Sequence, residues 1–431
     1  MTAKATPGKS LSEAHLLTFL VSGVLLFFNL RRLLFLVVAT YDWLQCDARG
    51  KTVPSCYRRV ASAAKACQRV LILVPLRNEV AGVPGLAKAL LALDYPVDSL
   101  TIGLIDDGST DGSGELIDAL AQKHGHIEAL HNTASLGKAR ALNAGLKRWR
   151  DGDIVVIYDA DARPEPASLG QIVHAFDDPT VAAAGGLVRP ANGLASPVAT
   201  YAALERLVHQ QITVRAKDRL QLAPAILGSN WAYRRRDLVD VGGFPGGVYL
   251  EDSHLTVQLA RRRRRIRFLP DAVAWDRVPQ SLAGYWHQHV RWGRGFHDVA
   301  AGQVRQQQTH SEPPSLPLRL ELFLFSLGYL DRLALLLGGW LLAISLWRHR
   351  QGDRRAWSGS MRVLIGMIAI SGLLPYAQMA LVLGMDRAPR TWWVRLPLMP
   401  VFFAVDVAAA LWALTLSLVR QPRHWLPTER T

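Results

Sequence analysis

The chain has 431 residues, half of them hydrophobic, and a formal net charge of +15. That length allows one large domain plus membrane segments, or two to three domains. The three cysteines, Cys46, Cys56 and Cys67, match no zinc spacing, and their odd count gives no disulfide framework. The positive balance suits nucleotide phosphates or anionic lipid head groups. Nucleic acid is disfavoured as a partner, because the basic residues cluster beside apolar runs, as membrane proteins place them.

Residues 14–40, "AHLLTFLVSGVLLFFNLRRLLFLVVAT", are long enough to cross a bilayer. Arg31 and Arg32 interrupt the run, either snorkelling or marking a boundary. The run is too long for the apolar core of a signal peptide. Residues 1–50 therefore form an N-terminal membrane segment.

Residues 51–317 read as one domain. Short apolar runs, "RVLILVP" (69–75), "LTIGLID" (100–106), "IEALH" (127–131), "DIVVIYD" (153–159) and "VAAAGGLV" (181–188), alternate with helical stretches at 113–123, 138–149 and 167–176. Such alternation predicts an α/β fold with a mostly parallel sheet. Ligands then bind beyond the carboxyl ends of the strands. Pro75 is expected to stop pairing of the first strand, leaving Arg77, Asn78 and Glu79 on the loop. The second strand ends in Asp106-Asp107-Gly108, with Asp111 placed to cap the next helix. No G-x-G-x-x-G follows the first strand and no Walker A sequence occurs, which disfavours dinucleotide and P-loop sites.

Lys138 opens a helix, where an ammonium suits an anion, or is simply solvated. "IVVIYDADA" (154–162) carries a buried strand into Asp159 and Asp161. If the strand persists, both carboxylates share a face. Their oxygens fit Mg²⁺ or Mn²⁺ rather than zinc. Taken alone, the pair is equally compatible with a polar loop. Arg261 to Arg265 form a basic run, either meeting anionic lipid or phosphate, or lying on a solvated helix face.

Residues 318–431 hold three further apolar segments, at about 322–347, 363–385 and 396–419. The first contains Asp331-Arg332, suggesting an interfacial helix before a short span. The third carries Asp406, an ionisable group that faces a protein interior or a wet path. Residues 348–362 carry five arginines and 386–395 carry three. Three simple spans would place the richer loop outside, against the positive-inside tendency. Either the 322–347 segment is re-entrant, or the chain breaks that rule.

In order along the chain stand "VPLRNEV", "DDGSTD", "GKARALN", "DADA", "GSNWAYRRRDLVDVGGF", "LED" and "QHVRW". Together they resemble the family 2 glycosyltransferases of the GT-A fold, specifically the membrane synthases of cellulose, chitin, hyaluronan and poly-N-acetylglucosamine. The resemblance covers about residues 69–296 and implies the following roles. Pro75, Asn78 and Glu79 would border the nucleotide base and ribose, and Asp107 the uracil. Lys138 would lie near the nucleotide. Asp159 would touch ribose or diphosphate, and Asp161 would bind the metal. Asp252 would be the general base, with Glu251 as a like-charge neighbour able to raise its pKa. Gln288, Arg291 and Trp292, on an interfacial helix over 279–296, would line the diphosphate and acceptor end. Arg291 would pair with phosphate and Trp292 would stack on a sugar or anchor at the membrane surface.

The resemblance thus implies an inverting, metal-dependent transfer from a UDP-sugar to a glycan hydroxyl, building or extending a polysaccharide. Single transfer to a lipid carrier or membrane lipid is the alternative. A transporter whose domain merely binds nucleotide would not need Asp252 as a base. The expected location is the inner or plasma membrane, multi-pass, with a cytosolic catalytic domain.

Overall fold

The computed structural model describes residues 7–47, 68–305 and 314–421. Cys56 and Cys67 lie outside the described residues. In the first part of the chain come α1 (Pro7–Asp47), β1 (Val70–Leu76), α2 (Val83–Leu91), β2 (Leu100–Asp106), α3 (Ser113–Lys123), β3 (Ile127–His131), α4 (Lys138–Arg148) and β4 (Ile154–Ile157). Next are β5 (Arg163–Pro164), α5 (Ser168–His174), β6 (Val181–Pro190), α6 (Pro197–Val208), α7 (Arg215–Arg219), β7 (Trp231–Arg234), α8 (Arg235–Asp240), α9 (Glu251–Arg261) and β8 (Arg265–Asp276). The chain continues with α10 (Leu282–Arg305), α11 (Leu316–Ser326), α12 (Leu330–Arg350), α13 (Gly359–Met385), α14 (Arg390–Arg395) and α15 (Met399–Leu418).

The strands form one eight-stranded sheet in the order β3-β2-β1-β4-β7-β6-β8-β5. β3, β2, β1 and β4 run parallel, as do β6 and β8. β7 is antiparallel to both its neighbours, and β5 to β8. β1 is apolar throughout because both its faces are covered. Leu71 and Leu73 enter one core with Val155 and Ile157, while Val70, Ile72 and Val74 enter the other with Ile154 and Val156. The pleat alternates them between the two cores.

Pro75 does not stop β1. It lies opposite Ile105 in the ladder, and Leu76 lies opposite Asp106. Tyr158 N donates to Leu73 O, and Asp107 N to Leu76 O, so Leu73 faces β4 and Leu76 faces β2. Pro75 therefore faces the β4 side, where β4 has already ended, and its missing N–H breaks no bond. The basic run is likewise not a helix face. α9 ends at Arg261, Arg263 takes a φ of 56°, and Arg265 begins β8. Arg264 pairs with Asp237 at 2.9 Å and Arg265 with Asp178 at 3.0 Å.

Among the described residues, four helices are long and apolar enough to cross a membrane: His15–Cys46, Leu330–Arg350, Gly359–Met385 and Arg390–Leu418. α1, α12 and α13 pack through Val21, Leu25, Ala334, Leu341, Met361 and Leu364. Arg31 and Arg32 leave α1 unbroken because each has an acid. Arg31 holds Glu321 at 3.0 and 2.5 Å, Arg32 pairs with Asp331, and Lys217 reaches Glu321 at 2.7 Å. Asp42 meets Arg215 at 2.6 Å. The 322–347 segment divides into α11 and α12, with Asp331-Arg332 in the first turn of α12.

The small residues of β6 make room for Trp231, which is fully buried. A Cβ at Gly185 would lie 2.1 Å from the Trp231 ring, and one at Gly186 would lie 1.8 Å from Ala272 O. Backbone cannot yield as a side chain can. Gly186→Ala is expected to destabilise the domain by about 3 kcal/mol. Gly125→Ala, where the added atom meets nothing within 4 Å, should leave Tm unchanged. Thermal unfolding of the two purified variants checks this.

Candidate active site

The site forms where β1, β2 and β4 end. The loops after β1 and β2 are laced together by polar groups. Asn78, at a φ of 54°, donates its N–H to Ser109 Oγ at 3.0 Å and accepts from Thr110 N at 2.9 Å. Glu79 N donates to Ser113 Oγ. Asp111 accepts from Val80 N and from Ser113 N.

Asp107 organises the next loop. Its carboxylate accepts from Asn132 Nδ2, Ser135 Oγ, Leu136 N and Gly137 N, all at 2.8–2.9 Å. Burial alone would raise its pKa, but these donors hold it below the ordinary value. Gly137, at a φ of 82°, leads directly into α4, so Asp107 sets where Lys138 begins.

Lys138 is half-buried and paired rather than simply solvated. Its Nζ donates to Asp159 Oδ1 at 2.6 Å and to Gly228 O at 2.7 Å, and stands 3.8 Å from Glu251 Oε1. Burial opposes its charge, yet Asp159 and then Glu251 outweigh it and raise its pKa. A Cβ on Gly228 would sit 3.0 Å from Lys138 Nζ and 3.5 Å from Asp252 Oδ2. The bare Gly228 backbone is thus what lets the lysine and Asp252 approach one another.

Asp159 and Asp161 are not held on one face by a strand pleat. β4 ends at Ile157 and the aspartates sit in a turn, closed by Ala162 N donating to Asp159 O at 2.9 Å. Sequence reasoning missed what fixes that turn. The Arg163 guanidinium donates to Ala160 O, Ala162 O and Gly82 O. No pattern in the sequence distinguishes this arginine from its many neighbours. Asp159 and Asp161 are both half-buried and offer only oxygen donors. This donor set fits a hard divalent cation such as Mg²⁺ or Mn²⁺.

Glu251 and Asp252 open α9. Asp252 Oδ1 accepts from Ser253 N at 2.6 Å. Burial, and then the Glu251 carboxylate, push the Asp252 pKa up to about 7, against the pull of Lys138 and Arg291. Arg291, on α10, therefore bears on the same carboxylate. Gln288 is buried on that helix. Trp292 stands edge-on to the His289 ring at 4.9 Å. The structure brings Lys138, Asp159, Glu251, Asp252 and Arg291 together. Asn78, Glu79 and Asp107 organise the adjoining loops, while Pro75 remains in the strand.

Glu205, His289 and Asp406 also bring ligand atoms within 4.8 Å of one another. Here Arg332 already stands 3.0 Å from Asp406 and 3.5 Å from Glu205. The Tyr285 hydroxyl donates to Asp406 at 2.5 Å, and His289 Nε2 lies 2.9 Å from Glu205. Burial works against a charge on His289, but Glu205 and Asp406 raise its pKa. Two carboxylates thus face two basic side chains, and the cluster does not fit a resident divalent cation. Asp406 is satisfied by its neighbours.

A family model described as "Glycosyltransferase like family 2" matches residues 68–295. The chain is 29% identical over 235 residues to "Probable glycosyltransferase YdaM" of Bacillus subtilis, covering 54% of this chain and 56% of that protein. It is 29% identical over 235 residues to a poly-beta-1,6-N-acetyl-D-glucosamine synthase of Staphylococcus aureus, covering 53% and 55%. A beta-monoglucosyldiacylglycerol synthase of Synechocystis is 27% identical over 269 residues, covering 60% and 54%. The chain spans about half the length of the curated relatives it matches. Among solved structures, a mannosyltransferase of Pyrobaculum calidifontis, in complex with GDP-Man and Mn²⁺, shares the fold. Its TM-score is 0.52 at 22% identity, over 92% of this chain and 99% of that one.

Asp107 gives a direct test of the loop's anchoring. Asp107→Ala removes a charged acceptor worth about 1.5–3 kcal/mol per bond. The Leu136 and Gly137 amides should then exchange hydrogen about tenfold faster or more, while β1 amides stay protected. Because the folded pKa is depressed, the loop's protection is present above the ordinary carboxylate range. It is lost as pH falls through the lowered value. Hydrogen-exchange mass spectrometry across pH reads both effects.

Proposed function

The chain belongs to glycosyltransferase-like family 2, and from that membership we propose that it is a membrane-bound, inverting glycosyltransferase. It takes a sugar from a UDP-sugar and places it on a hydroxyl of a glycan, building or extending a polysaccharide. The observation that carries the reading is Asp252, with a pKa near 7, next to the Lys138–Asp159 pair. A base works best when its pKa lies near the operating pH.

In this reading the base and ribose of the donor lie against the loops carrying Pro75, Asn78, Glu79 and Asp107. Lys138 and Arg291 present positive charge to the diphosphate. Asp159 and Asp161 would hold Mg²⁺ or Mn²⁺, which when bound would neutralise charge developing on the leaving diphosphate. Asp252 accepts the proton of the acceptor hydroxyl as that oxygen attacks the anomeric carbon. Attack from the side opposite the departing diphosphate inverts that carbon. Glu251 keeps Asp252 basic at neutral pH. Gln288 and Trp292 border the acceptor.

The four apolar helices of membrane-spanning length among the described residues support a multi-pass location in the cell membrane, with the catalytic domain on the cytosolic side where nucleotide sugars are made. Matches to both a polysaccharide synthase and a glycolipid synthase keep single transfer to a lipid as the second reading. Product size separates the two when membranes are incubated with labelled UDP-sugars and Mg²⁺ or Mn²⁺. Consumption of no UDP-sugar overturns the reading.

Asp252→Asn should lower transfer by about 10²- to 10⁴-fold while UDP affinity, measured by calorimetry, is retained. Loss of both would point to a binding role. The wild-type rate should fall as pH drops through about 7, because Asp252 must be ionised to accept a proton. A pH–rate profile for kcat with no limb there contradicts the assignment. Chelation with EDTA should suppress transfer, and added Mg²⁺ or Mn²⁺ should restore it.

A further inference from the structure

Helix α15 has the composition of a membrane span but not the placement of one. A 20-residue helix is about 30 Å long, the thickness of a bilayer's hydrocarbon core. A crossing helix with one end on the catalytic domain carries its other end about that far away. Both ends of α15 touch the catalytic side. At its start, the Phe402 ring stacks on Tyr201 of α6 at 5.2 Å. Just before it, Arg395 Nη1 donates to Thr200 Oγ1 at 2.6 Å. At its end, Ser417 Oγ lies 2.9 Å from His297 Nδ1, and Gln421 O accepts from Arg294 Nη2 at 2.6 Å.

Between those ends α15 runs alongside α10 in the same direction. Tyr285 meets Asp406, Gly293 meets Ala413, and His297 meets Ser417. A Cβ on Gly293 would stand 2.7 Å from that of Ala413, so the backbones are close. α10 itself is held on the catalytic domain over its length. Tyr285 packs edge-on to Tyr201 at 5.6 Å, Gly295 abuts Leu250, and Arg261 Nη2 donates to Gln303 O. The opposite face of α15 is apolar and outward, with Val401, Leu411, Trp412 and Leu418 exposed.

We propose that α15 lies in the plane of the membrane surface, docked on α10, with its outward apolar face in the lipid and both of its own ends on the catalytic side. This rests on the membrane reading above and goes beyond it: α1, α12 and α13 cross, and α15 does not. Asp406 accounts for the docking, since its pairing with Tyr285, His289 and Arg332 is available only against α10 and α12.

Single-cysteine chains decide it, made after Cys46, Cys56 and Cys67 are replaced by serine. Gly125→Cys reports the catalytic domain, Gln351→Cys the far end of α12, and Gln421→Cys the end of α15. A membrane-impermeant maleimide is applied to intact cells and to everted vesicles. The expected result is that Gln421→Cys labels in everted vesicles with Gly125→Cys and is protected in cells, while Gln351→Cys does the reverse. A fluorescent protein fused at the C-terminus, fluorescent only in the cytosol, should glow. Labelling of Gln421→Cys together with Gln351→Cys, or from both sides, overturns the in-plane helix and leaves the membrane reading intact. Labelling of Gln351→Cys together with Gly125→Cys overturns the crossing bundle on which the inference stands.

Discussion

The ammonium of Lys138 is the contact around which the site is organised. It joins the end of β4, through Asp159, to the Gly228 backbone before β7 and to Glu251 at the start of α9. Without it, Asp159, Glu251 and Asp252 would lose the cation they share, leaving Arg291 to offset the charge of Asp252. Two like charges 4 Å apart repel by about 4 kcal/mol at the effective dielectric of a protein surface. The lysine offsets that repulsion. Its own place is set by Asp107, which gathers the loop leading into α4. A carboxylate at the tip of β2 thus controls the electrostatics at the tip of β4.

The same logic of paired charge recurs where the catalytic domain meets the apolar helices. Arg31 and Lys217 share Glu321, Arg32 and Arg332 flank Asp331, and Arg215 meets Asp42. Removing one partner of a buried pair strands the other, at a cost of about 3–5 kcal/mol. Replacing a whole pair by apolar residues can be nearly neutral. The pairs therefore specify how α1, α11 and α12 sit against the catalytic domain more than they add to its stability.

α10 connects the two regions. Arg291 bears on Asp252, while Tyr285 and His289 of the same helix enter the cluster with Glu205, Arg332 and Asp406. Any shift of α10 on the apolar helices would move Arg291 relative to the Asp252 carboxylate. The candidate site and the packing of the apolar helices consequently share one element.

Much of this was legible in the sequence because it depends on local pattern. Five apolar runs marked five strands within a residue or two, since a parallel strand buried on both faces must be apolar. Glycine and aspartate marked their ends. The clustering of Lys138, Asp159, Glu251 and Asp252 followed from the order of motifs that resemble a known family. What stayed hidden depends on contacts between distant residues. Pro75 stays in β1 because β4 ends early, and Arg163 holds a turn through carbonyls that any sequence would supply. The arginine run is a turn because Asp237 and Asp178 lie beside it. α15 reads as a fourth span by composition. Hydropathy records how apolar a helix is, so the sequence alone determined that α15 could enter a membrane. Only the tertiary structure decided that both its ends stay on the catalytic domain, because Asp406, Ser417 and the Gln421 carbonyl find their partners there.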